Sequence, residues 1–450
     1  QNNYIYLLFS LDMSFKKINI SFIRLDNMTI YNSDFIKEIT ARGFIHQATD
    51  LNNLDKILCN KKNIPGYIGF DCTATSLHVG SLIQIMLLRW YQKSGHQPIV
   101  LLGGGTTLVG DPSGKDESRK LLTTEIIESN AIGIKNVFKK FINFDNNDNS
   151  ALMVNNAEWL TKLNYIEFLR DFGKHFSINR MLGFDSVKLR LDREQTLSFL
   201  EFNYMILQAY DFYELNKRYA CALQMGGSDQ WGNIINGIEL HRRLNINDNK
   251  SNLYGLTSPL ITTSSGSKMG KTANGAIWLN SELCSPWDYW QFWRNTEDKD
   301  VIKFLKLFTE INIHEINKLE KLQGADINEA KIILANAATS LLHGEEEKNK
   351  ALNTAKSIFK NTGQEENLPI IYYNTDRFID GVTLLECMIE NNYLANSKSE
   401  ARRLIRGSAV KINDASVSDE NIKITKISFN EKDQVKISAG KKKHMLIKMK

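Results

Sequence analysis

From residue 67 onward, short apolar runs alternate with longer stretches of helical periodicity: Tyr67–Phe70, then Leu82–Gln92, then Ile99-Val100-Leu101-Leu102, then a loop from Gly103 to Lys120. Short apolar runs bounded by turn residues read as buried strands, and the longer periodic stretches read as helices. Continued to residue 235, the alternation predicts an α/β architecture: a parallel sheet with helices on both faces and a ligand at the strands' C-terminal ends. An earlier helix is expected at Phe35-Ile36-Lys37-Glu38-Ile39. Around Leu256–Thr263 the pattern gives way to a loop rich in Ser, Thr and Gly, and residues 283–360 then read as several amphipathic helices with few breakers. A polar stretch from Asn361 to Asn367 and a turn near Asp376 read as a linker. A compact unit closes the chain, with Leu384-Leu385 on one helix, Ser397–Ile405 on a second capped by Ser397, and Val410-Lys411-Ile412-Asn413 as a strand. The expected divisions are 1–27 (extension or presequence), 28–255 (main α/β unit), 256–282 (loop-bearing linker), 283–360 (helical unit), 361–377 (linker) and 378–450 (small α+β unit).

Composition narrows the class. With 450 residues, 42% of them apolar, the chain can bury substantial cores in two or three domains. No run approaches the roughly 18 apolar residues that a membrane span needs, so no membrane partner is expected. Five cysteines, Cys59, Cys72, Cys221, Cys284 and Cys387, are scattered without C-x-x-C spacing, which suggests neither a metal site nor a disulfide framework and points to a reducing compartment. The net charge of +5 sits wholly in the tail, because residues 381–450 carry 14 Lys+Arg against 8 Asp+Glu. Charge so placed fits a polyanion, and nucleic acid is preferred to a membrane because no basic helix with an aromatic face accompanies it. From Met13 to Leu25 the chain is hydrophobic with Lys16, Lys17 and Arg24 and no acid, so residues 1–27 fit an organellar presequence as well as an upstream extension. The expected location is cytoplasmic, with the mitochondrial matrix or another organelle as the alternative.

Two segments carry candidate chemistry. Ser76-Leu77-His78-Val79-Gly80-Ser81 follows the apolar run Gly66-Tyr67-Ile68-Gly69-Phe70 and precedes Leu82–Leu88, so it should lie where a strand feeds a helix N-terminus. Free backbone N–H groups and the helix dipole make that a good place for phosphate. Gly266-Ser267-Lys268-Met269-Gly270-Lys271-Thr272 sets two lysines among glycines and hydroxyl residues, a composition suited to polyphosphate. A P-loop is excluded, since it needs four residues between its glycines and Gly266 to Gly270 leaves three.

These two segments resemble the HIGH and KMSKS signatures of class I aminoacyl-tRNA synthetases. Tyr67-Ile68-Gly69-Phe70-Asp71, Gly110-Asp111-Pro112-Ser113-Gly114-Lys115, Glu201-Phe202-Asn203-Tyr204, Gln208-Ala209-Tyr210-Asp211 and Gly226–Asn233 extend the resemblance to the tyrosyl enzymes of bacterial or organellar type. The resemblance implies a Rossmann-like catalytic domain, an α-helical anticodon-arm domain and a small S-four-type RNA-binding domain. It implies L-tyrosine, ATP with Mg²⁺ and tRNA(Tyr) as partners, no permanently bound cofactor, and a homodimer with an interface near Phe168–Phe176. Thr73, His78, Lys115, Arg119, Lys268, Lys271 and Thr272 would then meet the phosphates. Tyr67 and Asp211 would select the phenol; Tyr204, Gln208 and Asp111 would hold the ammonium group; Asn156 and Gln230 would support them. Gly69, Asp71, Gly80, Ser81, Gly227 and Asp229 would line the adenylate, and Lys398, Arg402, Arg403 and Arg406 would meet RNA. One departure stands out: Ser81 occupies the position of the usual second histidine, in the family a ribose contact. Two alternatives compete: a tryptophanyl enzyme, which has no use for the Tyr67 and Asp211 pair, and an RNA-binding protein built on a synthetase scaffold.

Overall fold

The computed structural model describes residues 31–112, 122–145, 148–245, 252–266, 269–272, 275–360, 368–390, 393–431, 433–440 and 443–449. Residues 1–27, the polar stretch 361–367, Lys115, Arg119 and Lys268 therefore lie outside the described residues, and of Lys271 and Thr272 only the backbone is described.

The chain opens with α1 (Asp34–Arg42), capped by the Ser33 hydroxyl and ended by Gly43 in the left-handed region. β1 (Gln47–Ala48), α2 (Leu51–Asn60) and β2 (Pro65–Asp71) follow, then α3 (Leu82–Lys93), β3 (Gln97–Gly103), α4 (Thr124–Phe138), β4 (Leu152–Asn155) and α5 (Ala157–Leu160). Three short helices, α6 (Tyr165–Asp171), α7 (Ile178–Leu182) and α8 (Asp185–Asp192), lead to the long α9 (Phe199–Tyr219). Its start is fixed by a capping box between Ser198 and Glu201. β5 (Leu223–Gly227), α10 (Trp231–Leu244) and β6 (Tyr254–Ser258) complete a six-stranded sheet in the order β1-β6-β5-β2-β3-β4. β2 to β6 run parallel and β1 pairs antiparallel with β6. The strand order turns at β2, between β3 on one side and β5 on the other, and the crevice above such a switch is where parallel α/β sheets bind ligands.

Pleating splits each central strand between two cores. Ile68, Phe70, Val100 and Leu102 pack with α1, α3 and the helices that follow Pro286, while Tyr67, Ile99, Leu101 and Val154 pack with α9. The loop expected from Leu256 begins later, because Leu256–Ser258 pair with Met225–Gly227 and stay in the sheet. After a two-stranded hairpin, β7 (Lys271–Thr272) and β8 (Gly275–Ala276), come α11 (Pro286–Arg294), α12 (Val301–Phe308), α13 (Ile313–Leu319) and α14 (Ile327–Lys360), the last broken at Gly344 with φ 86°.

The remainder is built on β9 (Ile370–Tyr373), β10 (Val382–Thr383), α15 (Leu384–Ile389), α16 (Lys398–Arg406), β11 (Val410–Ile412), β12 (Ala415–Val417), β13 (Lys423–Ile424), β14 (Gln434–Ala439) and β15 (Lys443–Met449). β9 pairs parallel with β15, so residues 370–373 belong to this unit's five-stranded sheet and not to the linker expected over 361–377. The turn near Asp376 likewise buries Phe378 in the same core. Leu446 of β15 and Leu368 join the core of the main body. Among the described residues no helix is long and apolar enough to cross a membrane.

Candidate active site

A cavity of about 400 Å³ opens over the C-terminal ends of β2, β3 and β5. Every sequence-predicted tyrosine or ATP residue whose side chain is described lines it: Tyr67, Gly69, Asp71, Thr73, His78, Gly80, Ser81, Asp111, Asn156, Tyr204, Gln208, Asp211, Gly227, Asp229 and Gln230. Lys398, Arg402, Arg403 and Arg406 lie elsewhere, on α16, where Glu420 pairs with Arg402 at 3.6 Å and also with Arg406.

At the floor, Asp211 projects from α9 and is 1% exposed. Its Oδ1 accepts from Trp159 Nε1 at 2.7 Å and its Oδ2 from Asn156 Nδ2 at 2.9 Å. Burial still dominates over those two donors and pushes the carboxyl pKa up to about 7, helped by the charges of Asp71 and Glu214. The Tyr67 hydroxyl is buried with no hydrogen-bond partner among the described residues, and its pKa is driven well up by burial and then by the Asp211 charge. An unsatisfied buried hydroxyl in a roomy cavity is an unmet demand for a polar group from a ligand. Asn156 is itself fixed, since its Oδ1 accepts from Gly105 N–H at 2.7 Å and its Nδ2 also reaches Thr106 Oγ1 at 3.0 Å.

Midway up, a band of polar groups crosses the cavity. Asp71 accepts from Thr106 Oγ1 at 2.8 Å and from the Tyr204 hydroxyl at 3.1 Å. A Cβ on Gly103 would stand 2.2 Å from Asp71 Oδ1, so only glycine leaves the carboxylate its place. On the facing side Gln230 Nε2 donates to Asp111 Oδ2 at 3.0 Å, and Asn233 Nδ2 donates to both Gln208 Oε1 and Gln230 Oε1.

At the mouth, the chain turns from β2 into α3 through the one-turn helix Val79–Ser81. His78 Nδ1 accepts from Gly80 N–H at 3.0 Å, which assigns the ring proton to Nε2. Trp278 runs antiparallel beside His78, with Val79 N–H donating to Ile277 O and Leu279 N–H to Leu77 O. The two signatures meet here. A Cβ on Gly270, at φ 90°, would lie 2.9 Å from Gly80 N and 3.1 Å from His78 Nδ1.

Several lining residues escaped the sequence reading: Thr106, Gln84, Gln224, Leu260 and Trp278 line the cavity, and Trp159 supports it from behind. Trp159 was the most accessible, because it follows Asn156 just past a strand's C-terminal end.

The site belongs with a known class. The family described as tRNA synthetases class I (W and Y) matches residues 59–360, and the tyrosine–tRNA ligase SYY-like C-terminal domain matches 366–447. The chain belongs to the class I tRNA synthetases, in the branch of the tyrosine–tRNA ligases. The tyrosine–tRNA ligase of Rhodopseudomonas palustris is 54% identical over 422 residues, covering 94% of this chain and all of that protein. That of Bartonella quintana is 56% identical over 421 residues with the same coverage. Among solved structures, a C-terminally truncated mitochondrial tyrosyl-tRNA synthetase of Aspergillus nidulans aligns with a TM-score of 0.64 at 31% identity, covering 72% of this chain and 94% of that one. A tryptophanyl-tRNA synthetase of Encephalitozoon cuniculi aligns at 0.52 and 13% identity over 71% of this chain and 91% of that one, which shows the shared fold alone.

Proposed function

We propose that the protein activates L-tyrosine with ATP to tyrosyl-adenylate and pyrophosphate, then transfers the tyrosyl group to the 3′ end of tRNA(Tyr). The observation that carries this reading is the orphaned Tyr67 hydroxyl beside the buried Asp211 carboxylate, since a substrate phenol can accept from the first and donate to the second. Phenylalanine would leave the Tyr67 hydroxyl desolvated and unpaired and would bring Asp211 no further donor beside Trp159 and Asn156. The ammonium group falls to Tyr204, Gln208 and Asp111, with Asp71 beside it because the Tyr204 hydroxyl already binds that carboxylate.

The chemistry needs no side-chain nucleophile. The tyrosine carboxylate attacks the α-phosphorus, the bond to the bridging oxygen breaks, and pyrophosphate leaves with its Mg²⁺. The protein's work is to align the two and to stabilise charge on the departing phosphates. His78 Nε2–H, Thr73 and the N–H groups opening α3 serve from one side, and Lys268, Lys271 and Thr272 from the other, with Lys115 and Arg119 adding charge. Asn156 and Gln230 keep the neighbouring carboxylates in place; Gly69, Gly80, Ser81, Gly227 and Asp229 line the adenylate. The helices over 283–360 are assigned to the anticodon arm, and Lys398, Arg402, Arg403 and Arg406 to RNA phosphates.

A homodimer fits the surface between residues 165 and 200, where Tyr165, Ile166, Leu169, Ile178, Phe199 and Leu200 are exposed apolar residues. Phe168, expected in that interface, turns inward instead and meets Tyr210 edge-on at 5.3 Å. The deciding experiment is pyrophosphate exchange with each of the twenty amino acids at fixed ATP without tRNA. Exchange with tyrosine and rejection of phenylalanine and tryptophan support the reading; no exchange by folded, ATP-binding protein overturns it.

A further inference from the structure

The loop bearing the second signature leaves the sheet at Ser258 and leads to the separate β7–β8 hairpin that begins at Lys271, and its outgoing limb is held from outside. Ser264 N–H donates to Asp300 Oδ2 at 2.7 Å, Ser264 Oγ to Glu297 Oε2 at 2.6 Å, and Lys303 Nζ to Thr262 O at 3.1 Å. All three anchors lie between Glu297 and Lys303, at the start of α12. Asp300 is 5% exposed, so its carboxylate makes a charge-assisted hydrogen bond shielded from water, the strong kind. Met269 N–H donates to Ile261 O at 3.1 Å and ties the returning limb to the held one.

The helix behind this anchor is immobilised in turn. Val301, Phe304, Leu305, Leu307 and Phe308 of α12 are buried. At its far end the Arg42 guanidinium donates to Lys306 O, Thr309 O and Ile311 O, and stacks over Trp90 of α3 at 4.2 Å. α3 begins at the His78–Ser81 turn. A continuous path of packed and hydrogen-bonded groups thus runs from one signature through α3, Arg42, α12 and Asp300 to the other, and the two meet at the close approach of Gly270 to Gly80.

We propose that Asp300, assisted by Glu297, is a positioning residue for adenylate formation: it sets the place at which the strand carrying Lys271 meets the His78–Ser81 turn. The inference rests on the reading of Lys271 as a phosphate-binding group. Displacement of such a group by about 1 Å can slow chemistry by roughly 10²-fold, while a pocket formed by other elements keeps its affinity.

The test is a double-mutant cycle on the rate of adenylate formation, with tyrosine affinity measured alongside by equilibrium dialysis. Asp300→Ala should lower that rate by roughly tenfold or more and leave the tyrosine dissociation constant unchanged. Asp300→Asn, which keeps an acceptor oxygen for Ser264 N–H, should recover most of the loss. Combined with Lys271→Ala, Asp300→Ala should add little, because the group it positions is gone. Losses that multiply would mean that Asp300 acts by another route and would overturn the inference. A Lys271→Ala variant that runs at the native rate would instead remove the reading of Lys271, and this inference with it. Should Asp300→Ala not fold, Ser264→Ala, which deletes only the exposed arm to Glu297, carries the same cycle with an expected loss of about twofold to tenfold.

Discussion

The two ends of the cavity are built on different principles. At the end we assign to the phenol, Asp211, Asn156, Trp159 and Thr106 form a buried network in which each side chain is held by another, and the Tyr67 hydroxyl has no partner among the described residues. At the end we assign to the phosphates stand a helix N-terminus, a histidine oriented by its own turn, and a loop hydrogen-bonded from a distance by Asp300. The difference follows from the groups to be recognised. A phenol differs from phenyl by one hydroxyl, so selecting it needs fixed, desolvated partners whose loss is costly. A triphosphate carries charge enough to be found by backbone N–H groups and cations, and what must be controlled is placement at the transition state.

Breaking the phenol end should have the largest effect. Asp211→Ala is expected to lower kcat/KM for tyrosine activation by roughly 10³-fold or more, since it removes the phenol's acceptor and strands the Trp159 and Asn156 donors. Unaltered pyrophosphate exchange would refute the assignment. Breaking the phosphate end with Lys271→Ala should slow adenylate formation by roughly 10²-fold while tyrosine binding stays constant, the signature of a contact made mainly in the transition state. A parallel rise in the tyrosine dissociation constant would show that the two ends are not separable.

A gentler change sharpens the contrast. Trp159→Phe removes one donor from Asp211, so its carboxyl should titrate still higher and tyrosine kcat/KM should fall by about tenfold. The smallest effect is one of pH. Asp211's folded pKa, about 7, lies above its ordinary 3.8, so its contribution to the stability of the unliganded fold is fully present below about 4 and lost as pH rises through about 7. Binding has the opposite sign, because the phenol donates to the ionised form. Tyrosine affinity should weaken below pH 7 by at most about tenfold per unit, while ATP affinity should not follow that titration. Calorimetric titrations with each ligand across pH 5.5 to 8.5 decide this, and an affinity for tyrosine that is flat across that range would count against an ionised Asp211 as the acceptor.

Legibility in the sequence also differed between the two ends. The phosphate end was plain, because a strand, a turn and a helix are consecutive in the chain and a helix N-terminus can be read from local pattern. At the phenol end Tyr67, Asn156 and Asp211 were reached through resemblance to a family, while Trp159 and Thr106 were not reached at all. The C-terminal unit shows the same limit. Its helices were placed from their caps and periodicity, but Ile370–Tyr373 read as linker because its pairing partner in β15 lies far along the chain.

What the sequence alone determined was the class, the α/β order of elements and the residues of the two signatures, all of which rest on neighbours in the chain. What only tertiary structure decided was which polar atoms lost their water and which found partners. Trp159 meets Asp211 across 52 residues and Ser264 meets Asp300 across 36, separations at which periodicity and propensity carry no information. Burial is set by everything that packs around a group. A hydroxyl such as that of Tyr67 therefore becomes an unmet demand, and so a recognition element, only once the chain has folded around it.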